Sequence, residues 1–387
     1  MEFTFTEEQE AVTEAAAGVF GGQATTQRVA EVERGDERFD EVLWSELARA
    51  NLLGVAVPER DGGSGFALTE LCLVLQQQGR RVAPVPLWAT AVLGALPVAE
   101  FGTEEQRRRW LPGVVAGDLR LSAALTEVAT SPDDRPSVRA ERAGDGWRIT
   151  GTCFAVPQAH LAVGVLVPAM SDDGTIVVVV DPSGPGATLE RVVTTDRQVH
   201  PHLHLDDCPV ASDDVLVGPG RGQAAIRWML ERALVGLCAL QLGVTEEALR
   251  ITAAYVNQRH QFGRPLSSFQ GTMLKAADAY IDTEAIRVTL WQAAWRLDTG
   301  RPATEAVVVA KWWASEAGQR VVHATQHLHG GMGADIEYPI HRYFLWGKQI
   351  ELMLEAPSAQ LARLGDLVAA ELGRPALNRG STEGVRR

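Results

Sequence analysis

The segment RWMLERALVGL, Arg227 to Leu237, sets Glu231 and Arg232 in the middle of an apolar, helix-forming run. An ionised pair is costly there unless it is partnered or useful, so Glu231 reads either as a general base or as half of a buried ion pair. Farther on, YVNQRHQFGRPLSSFQ, Tyr255 to Gln270, carries Arg259 near a helix end and a break at FGRP. Arg259 can fix a pyrophosphate through charge-assisted hydrogen bonds, and Phe262 offers a surface to a planar ring. HLHGGMG, His327 to Gly333, is a paired-glycine turn that lets backbone come close to a ligand, as phosphate and adenine sites often require. Taken alone, each of these two segments reads more simply as a helix-terminating turn. HPHLHLDD, His200 to Asp207, puts His202 and His204 on one face of a strand, but nothing in the sequence positions a third ligand, so no metal is expected. Cys72, Cys153, Cys208 and Cys238 lie far apart in apolar or strand-like contexts and read as core residues in a reducing compartment.

Holding such groups in place takes a sizeable scaffold. With 387 residues, 46% hydrophobic and 22% charged, the chain can build two or three domains with substantial cores. A formal net charge of −13 argues against nucleic acid as a partner. The start, MEFTFTEEQEAV, lacks a basic region followed by an apolar one, and no uninterrupted apolar run of about 18 residues occurs, so no membrane partner and a cytoplasmic location are expected. Residues 1–118 carry helical spacing in TEEQEAVTEAAAGVF, with Thr6 as N-cap, in EVLWSELARANLLG and in LTELCLVLQQQG, interrupted by the glycine-rich VPERDGGSGF. Residues 119–220 switch to period two in LSAALTE, VRAERA, WRITGTCFAV, AVGVLVPA, TIVVVVDP and LERVVTT, which predicts a small β-barrel or sandwich. Residues 221–373 return to four long helical segments with breaks at FGRP, DTGRPAT and GGMGADIEYP, which predicts a four-helix bundle; residues 374–387 read as a loose tail. The fold class is α+β multidomain.

In this order the motifs resemble the acyl-CoA dehydrogenase family over nearly the whole chain: FTEEQ, VPERDGGSG, ALTE, RHQFGRPLSSFQ, AVVVAKWWASEAGQRVV and HLHGGMGADIEYP. The resemblance implies an N-terminal α domain, a middle β domain and a C-terminal four-helix domain, assembled into dimers or tetramers. It implies FAD between the β domain and the bundle, with a neighbouring subunit gripping its adenosine end. Arg259, Phe262 and Gln270 would contact FAD across that interface, and Gly330 and Gly331 would line its adenine end. His327 occupies the position usually held by glutamine, and Thr126 of ALTE would face the isoalloxazine. The implied reaction of lipid metabolism converts an acyl-CoA, or another acyl thioester, to the trans-2-enoyl thioester. A glutamate takes the α-proton, the β-hydrogen leaves as hydride to the flavin, and electrons pass to electron-transfer flavoprotein or a similar acceptor. Hydrogen bonds to the thioester carbonyl acidify the α-carbon, and an apolar site raises the base's pKa toward the operating range.

The position of that base is where the sequence departs from the family. In one branch it stands in the first long helix of the C-terminal domain, followed by arginine, and LERAL carries such a pair. Counting back without a gap from Arg259, however, the position falls on Ala233 and its arginine on Leu234, so Glu231 is two residues early. On a continuous helix that is about 200°, nearly the opposite face, and Glu231 therefore leans toward an ion pair. The other branch places the base before a Gly-Thr in a turn near the chain end. There LMLEAPSAQ offers Glu355: counted forward from EYP the position falls on Leu354, one residue short, whereas counted back from the following helix Glu355 fits, and since a turn accommodates a single insertion Glu355 is the first choice. Ala155-Val156-Pro157 stands where the family has an aromatic-Ile-Thr strand beside the flavin, Pro157 and Pro357 replace threonines, and TEVATSPDD replaces a TEPGAGSD-like loop. A homo-oligomer, a heteromer in which a related subunit completes the site, and the same fold turned to another flavin reaction are all compatible with these departures.

Overall fold

The computed structural model describes residues 4–130 and 134–373. The predicted tail, and residues 131–133 of TEVATSPDD, lie outside the described residues.

The N-terminal part is helical: α1 (Glu7–Gln23), α2 (Thr26–Arg34), α3 (Glu41–Arg49), α4 (Leu68–Arg81), a π-helical segment (Trp88–Ala95), α5 (Leu96–Phe101) and α6 (Glu104–Val115). Thr6 caps α1 as predicted, exchanging hydrogen bonds with Gln9 in a capping box. The break at VPERDGGSGF needs its glycines: Gly62 sits at φ 92°, and a Cβ on Gly63 would fall 2.1 Å from the Val57 carbonyl oxygen.

The middle region opens on β1 (Leu121–Ala123) and the short α7 (Thr126–Thr130), so LSAALTE is a strand only in its first half. Alternation over so few residues does not separate a strand from a strand running into one helical turn. Then follow β2 (Arg139–Ala143), β3 (Gly146–Cys153), β4 (Gly164–Ser171), β5 (Gly174–Val180), β6 (Ala187–Glu190), β7 (His202–Val210) and β8 (Val215–Val217). They form one mixed sheet in the order β6-β7-β3-β2-β4-β5-β8, with β1 parallel to β4. Strands β4 and β5 are buried along almost their whole length because helices cover them, which is why TIVVVV reads as a continuous apolar run.

The C-terminal part holds α8 (Gly222–Gln258), α9 (Gln270–Asp298), α10 (Thr304–Leu328), α11 (Ile340–Leu352) and α12 (Pro357–Glu371). The predicted fourth segment is thus two helices: Leu354, at φ 65°, turns the chain, and Pro357 starts α12. The domains are fastened by polar side chains as well as by the shared core. Asp298, at the end of α9, accepts the backbone N–H groups of Leu68 at 3.1 Å and Thr69 at 3.0 Å, capping α4 from another domain. Glu33 of α2 pairs with Arg342 of α11 at 3.0 Å and with Arg197 of the β domain at 3.2 Å. The four cysteines are buried and unpaired.

Candidate active site

An open cleft of about 970 Å³ lies where the β4–β5 turn, the start of α8, the start of α10 and α12 meet. Asp134, Gln223, Arg227, Thr304 and Arg363 line it. Each candidate glutamate touches one residue of this wall. Thr304 donates its hydroxyl to Glu231 Oε1 at 2.7 Å, and Arg363 lies 3.5 Å from Glu355 Oε1. The two glutamates, far apart in sequence, thus each reach the cleft wall without lining the cleft itself.

Their surroundings differ. Glu231 is half-buried, and its partner is Thr304 rather than Arg232. The Arg232 guanidinium lies 3.7 Å from the centre of the Trp228 ring and donates to the Trp228 carbonyl at 3.2 Å. The buried Glu231–Arg232 pair read from the sequence is corrected on this point, because consecutive helical side chains diverge by about 100° and do not face each other. Burial pushes the Arg232 pKa down while nearby Glu231 pulls it up. On the other face of the helix the Ala233 carbonyl accepts the Trp88 indole N–H at 3.1 Å, and a Cβ on Gly236 would meet Trp88 at 2.8 Å. Trp88 thus fills the space in front of the gapless base position.

Glu355 is 7% exposed and sits in the turn between α11 and α12. Gln360 donates its amide to Oε2 from the first turn of α12. Behind the turn stands Lys311, wholly buried, whose ammonium donates to the Ile350 carbonyl at 2.7 Å, the Ser315 hydroxyl at 2.8 Å and the Glu351 carbonyl at 3.4 Å. These bonds satisfy the carbonyls that a helix end leaves open. Burial brings the Lys311 pKa down to about 8 against the attraction of Cys238, Glu355 and Glu351. Sequence reasoning missed Lys311 and Arg363. A lone lysine within AVVVAKWWAS was the available sign of the first, whereas an arginine on an amphipathic helix gives none.

The cofactor candidates gather at the opposite end of the bundle. RHQFGRP is a two-stranded hairpin, His260–Gln261 paired with Arg264–Pro265, whose tip residues Phe262 and Gly263 both have positive φ. Phe262 is 92% exposed, and Arg259 and Gln270 are exposed on either side of the hairpin. The turn bearing exposed His327, Gly330 and Gly331 is held to the same end. His329 stacks on Tyr255 at 4.5 Å and bonds the Thr325 carbonyl through Nδ1 at 2.8 Å, while Gln326 holds the Gly333 carbonyl. Open glycine backbone, an exposed cation and an exposed ring stand together here and could hold a phosphate-bearing, ring-ended cofactor. Arg227 at the cleft and Gln258 beside this clamp are separated along α8 by roughly 45 Å, and α10 runs the same way from Thr304 to the His327 turn.

Thr126, half-buried, begins α7. Beside it, the Phe154 N–H is taken by Glu127 and the Ala155 N–H by His202 Nδ1 at 2.9 Å. Burial raises the Glu127 pKa, opposed by the bond from Phe154 and by nearby His202. In this chain, therefore, the backbone donors of the strand expected beside the flavin ring are engaged by its own side chains. His204 bridges Thr152 at 3.2 Å and Glu190 at 3.1 Å, so His202 and His204 both have protein partners.

Comparison with known proteins agrees with this architecture. Residues 6–118 match the acyl-CoA dehydrogenase N-terminal domain and residues 220–353 the acyl-CoA dehydrogenase C-terminal domain. The chain is 37% identical to acyl-CoA dehydrogenase FadE27 of Mycobacterium tuberculosis, over 94% of this chain and 98% of that protein. It superimposes on the structure of a variant of the Tcur3481-Tcur3483 steroid ACAD with a TM-score of 0.89 and 49% identity, covering 95% of this chain and 99% of that one. For the ChsE4-ChsE5 complex of Mycobacterium tuberculosis the TM-score is 0.90 at 37% identity, with the same coverage. With the three-part fold and both domain matches in place, the chain belongs to the acyl-CoA dehydrogenase family, the FAD-dependent enzymes that convert an acyl-CoA to its 2-enoyl thioester.

Proposed function

We propose that the chain dehydrogenates an acyl-CoA within an assembly in which each clamp of Arg259, Phe262, Gln270, His327, Gly330 and Gly331 grips an FAD whose ring lies against another chain. The observation that carries this reading is the separation of clamp and cleft along α8, which is far longer than an extended FAD. The cofactor held by one chain's clamp thus serves a neighbour's cleft. Glu355 is the proton acceptor in this reading: it takes the α-proton of a thioester lying in the cleft, and the Cα–H electron pair becomes the new double bond. FAD, when bound, accepts the β-hydrogen with its electron pair and passes electrons to an electron-transfer flavoprotein or similar acceptor. Arg227 and Gln223 suit the polar end of the thioester, and the likeness to a steroid dehydrogenase supports a bulky, ring-bearing acyl group. Among the described residues no helix is long and apolar enough to cross a membrane, in keeping with work in the cytoplasm.

A second reading has its own support: the ring-side amides are engaged, and Trp88 fills the space before Ala233. Here the neighbour is a related, non-identical subunit that supplies the flavin face and the base, as the paired names of two similar structures suggest. One experiment separates the two. In the purified, FAD-loaded assembly, Glu355→Gln keeps FAD and ligand but loses flavin reduction by several orders of magnitude if this chain supplies the base. Undiminished reduction transfers the base to the partner.

A further inference from the structure

We propose that Arg363 is a positioning residue that latches Glu355, and that Asp134 is the catch onto which it is released when proton transfer begins. This rests on Glu355 being the base. Arg363 divides one guanidinium between two carboxylates, one terminal nitrogen 3.5 Å from Glu355 Oε1 and the other 3.4 Å from Asp134 Oδ2. Both carboxylates are buried, and Asp134 also lines the cleft. Gln360 already occupies Oε2, so the oxygen that must receive the α-proton is the one Arg363 holds. Among the described residues, Lys311 from α10 and Glu351 from α11 also face the turn, with Cys238 of α8 beside Lys311. Lys311 is committed to backbone carbonyls and Ser315, whereas Arg363 is already shared with a second carboxylate onto which it can move.

Asp134 is suited to the exchange because a second arginine, Arg227, approaches the same Oδ2 at 3.9 Å, while Gln223 holds the Asp134 carbonyl at 3.1 Å. A carboxylate shared by two arginines gains when one leans fully on it, and a Glu355 that has become neutral no longer attracts its own share. The Cα–H bond breaks, the proton goes to Oε1 and the electron pair stays in the acyl group, while Arg363 shifts its weight to Asp134. An arginine beside a carboxylate favours its ionised form and weakens it as a base. The latch therefore keeps the base charged and ready, and its release raises basicity at the moment of transfer.

The test is the pH profile of single-turnover flavin reduction by a steroid-bearing acyl-CoA in the purified, FAD-loaded assembly. Arg363→Met moves the acid limb to higher pH by about one to three units, and Arg363→Lys returns it toward wild type. Asp134→Asn, which throws Arg363 wholly onto Glu355, moves the limb the other way and slows reduction. Opposite shifts would not arise from a merely structural role. If Arg363→Met does not assemble, Asp134→Asn reads the same latch alone. Limbs that stay in place while Glu355→Gln abolishes reduction overturn the latch and leave the base standing, whereas reduction at the wild-type rate in Glu355→Gln overturns the base and the latch with it.

Discussion

Lys311 is a residue on which burial and bonding pull in opposite directions. The gap between the ordinary lysine value of 10.5 and about 8 corresponds to about 3 kcal/mol held against the folded state at neutral pH, offset by the three bonds to α11 and Ser315. Between about pH 8 and 10.5 the unfolded chain holds this proton more firmly than the folded one, so the lysine's cost falls as pH rises through that window. Chemical denaturation of wild type and Lys311→Met should show the wild type gaining on the variant from pH 7 to 10; a constant difference would mean that no charge is buried there. Glu231→Gln, by contrast, should change stability by less than about 1 kcal/mol, since a half-buried carboxylate with a threonine partner loses little as an amide. A loss near 3 kcal/mol in the same denaturation experiment would restore the buried pair. The sequence displayed both glutamates, but partners along a helix depend on side-chain direction, and Trp228 and Thr304 could not be chosen from letters alone.

At the scale of elements, period and punctuation carried most of what was legible. The capping box at Thr6, the glycine break at Gly62 and Gly63, and the change from helical to alternating spacing near Leu119 all correspond to features of the fold. What stayed hidden depended on contacts distant in sequence. ALTE turns helical once β1 has been paired with β4, and the last long helical segment breaks at Leu354, whose positive φ no glycine announces. The N-cap of α4 is Ala67, which has no accepting side chain; Glu70 takes the Ala67 N–H at 2.9 Å, and the next two N–H groups borrow Asp298 from α9. Asp298→Ala should cost about 1 kcal/mol and loosen the start of α4. Hydrogen exchange at Leu68 and Thr69 reads this directly, and unchanged protection there would show that the borrowed cap is idle.

For the whole molecule, the direction of α8 and α10 decides how the chain can function. Both helices begin at the carboxylate-walled cleft and end at the RHQFGRP hairpin and the His327 turn, so in the proposed function the two halves of the cofactor site face opposite ways on one chain and would meet between chains. Exposed Phe262 at one end of α9, and exposed Met273, Leu274, Ile281 and Val288 along it, give the clamp an apolar surround that an adjoining subunit would cover. The measurement that tests this most directly is FAD per chain together with molar mass by light scattering, for the wild-type assembly and for Arg259→Ala/Gln270→Ala. Removing a charge-assisted contact to phosphate and a second polar contact should weaken FAD retention at least tenfold while the circular dichroism of the chain stays unchanged. A variant that keeps stoichiometric FAD, or a wild-type chain that binds FAD fully as a monomer, would contradict a cofactor gripped across subunits.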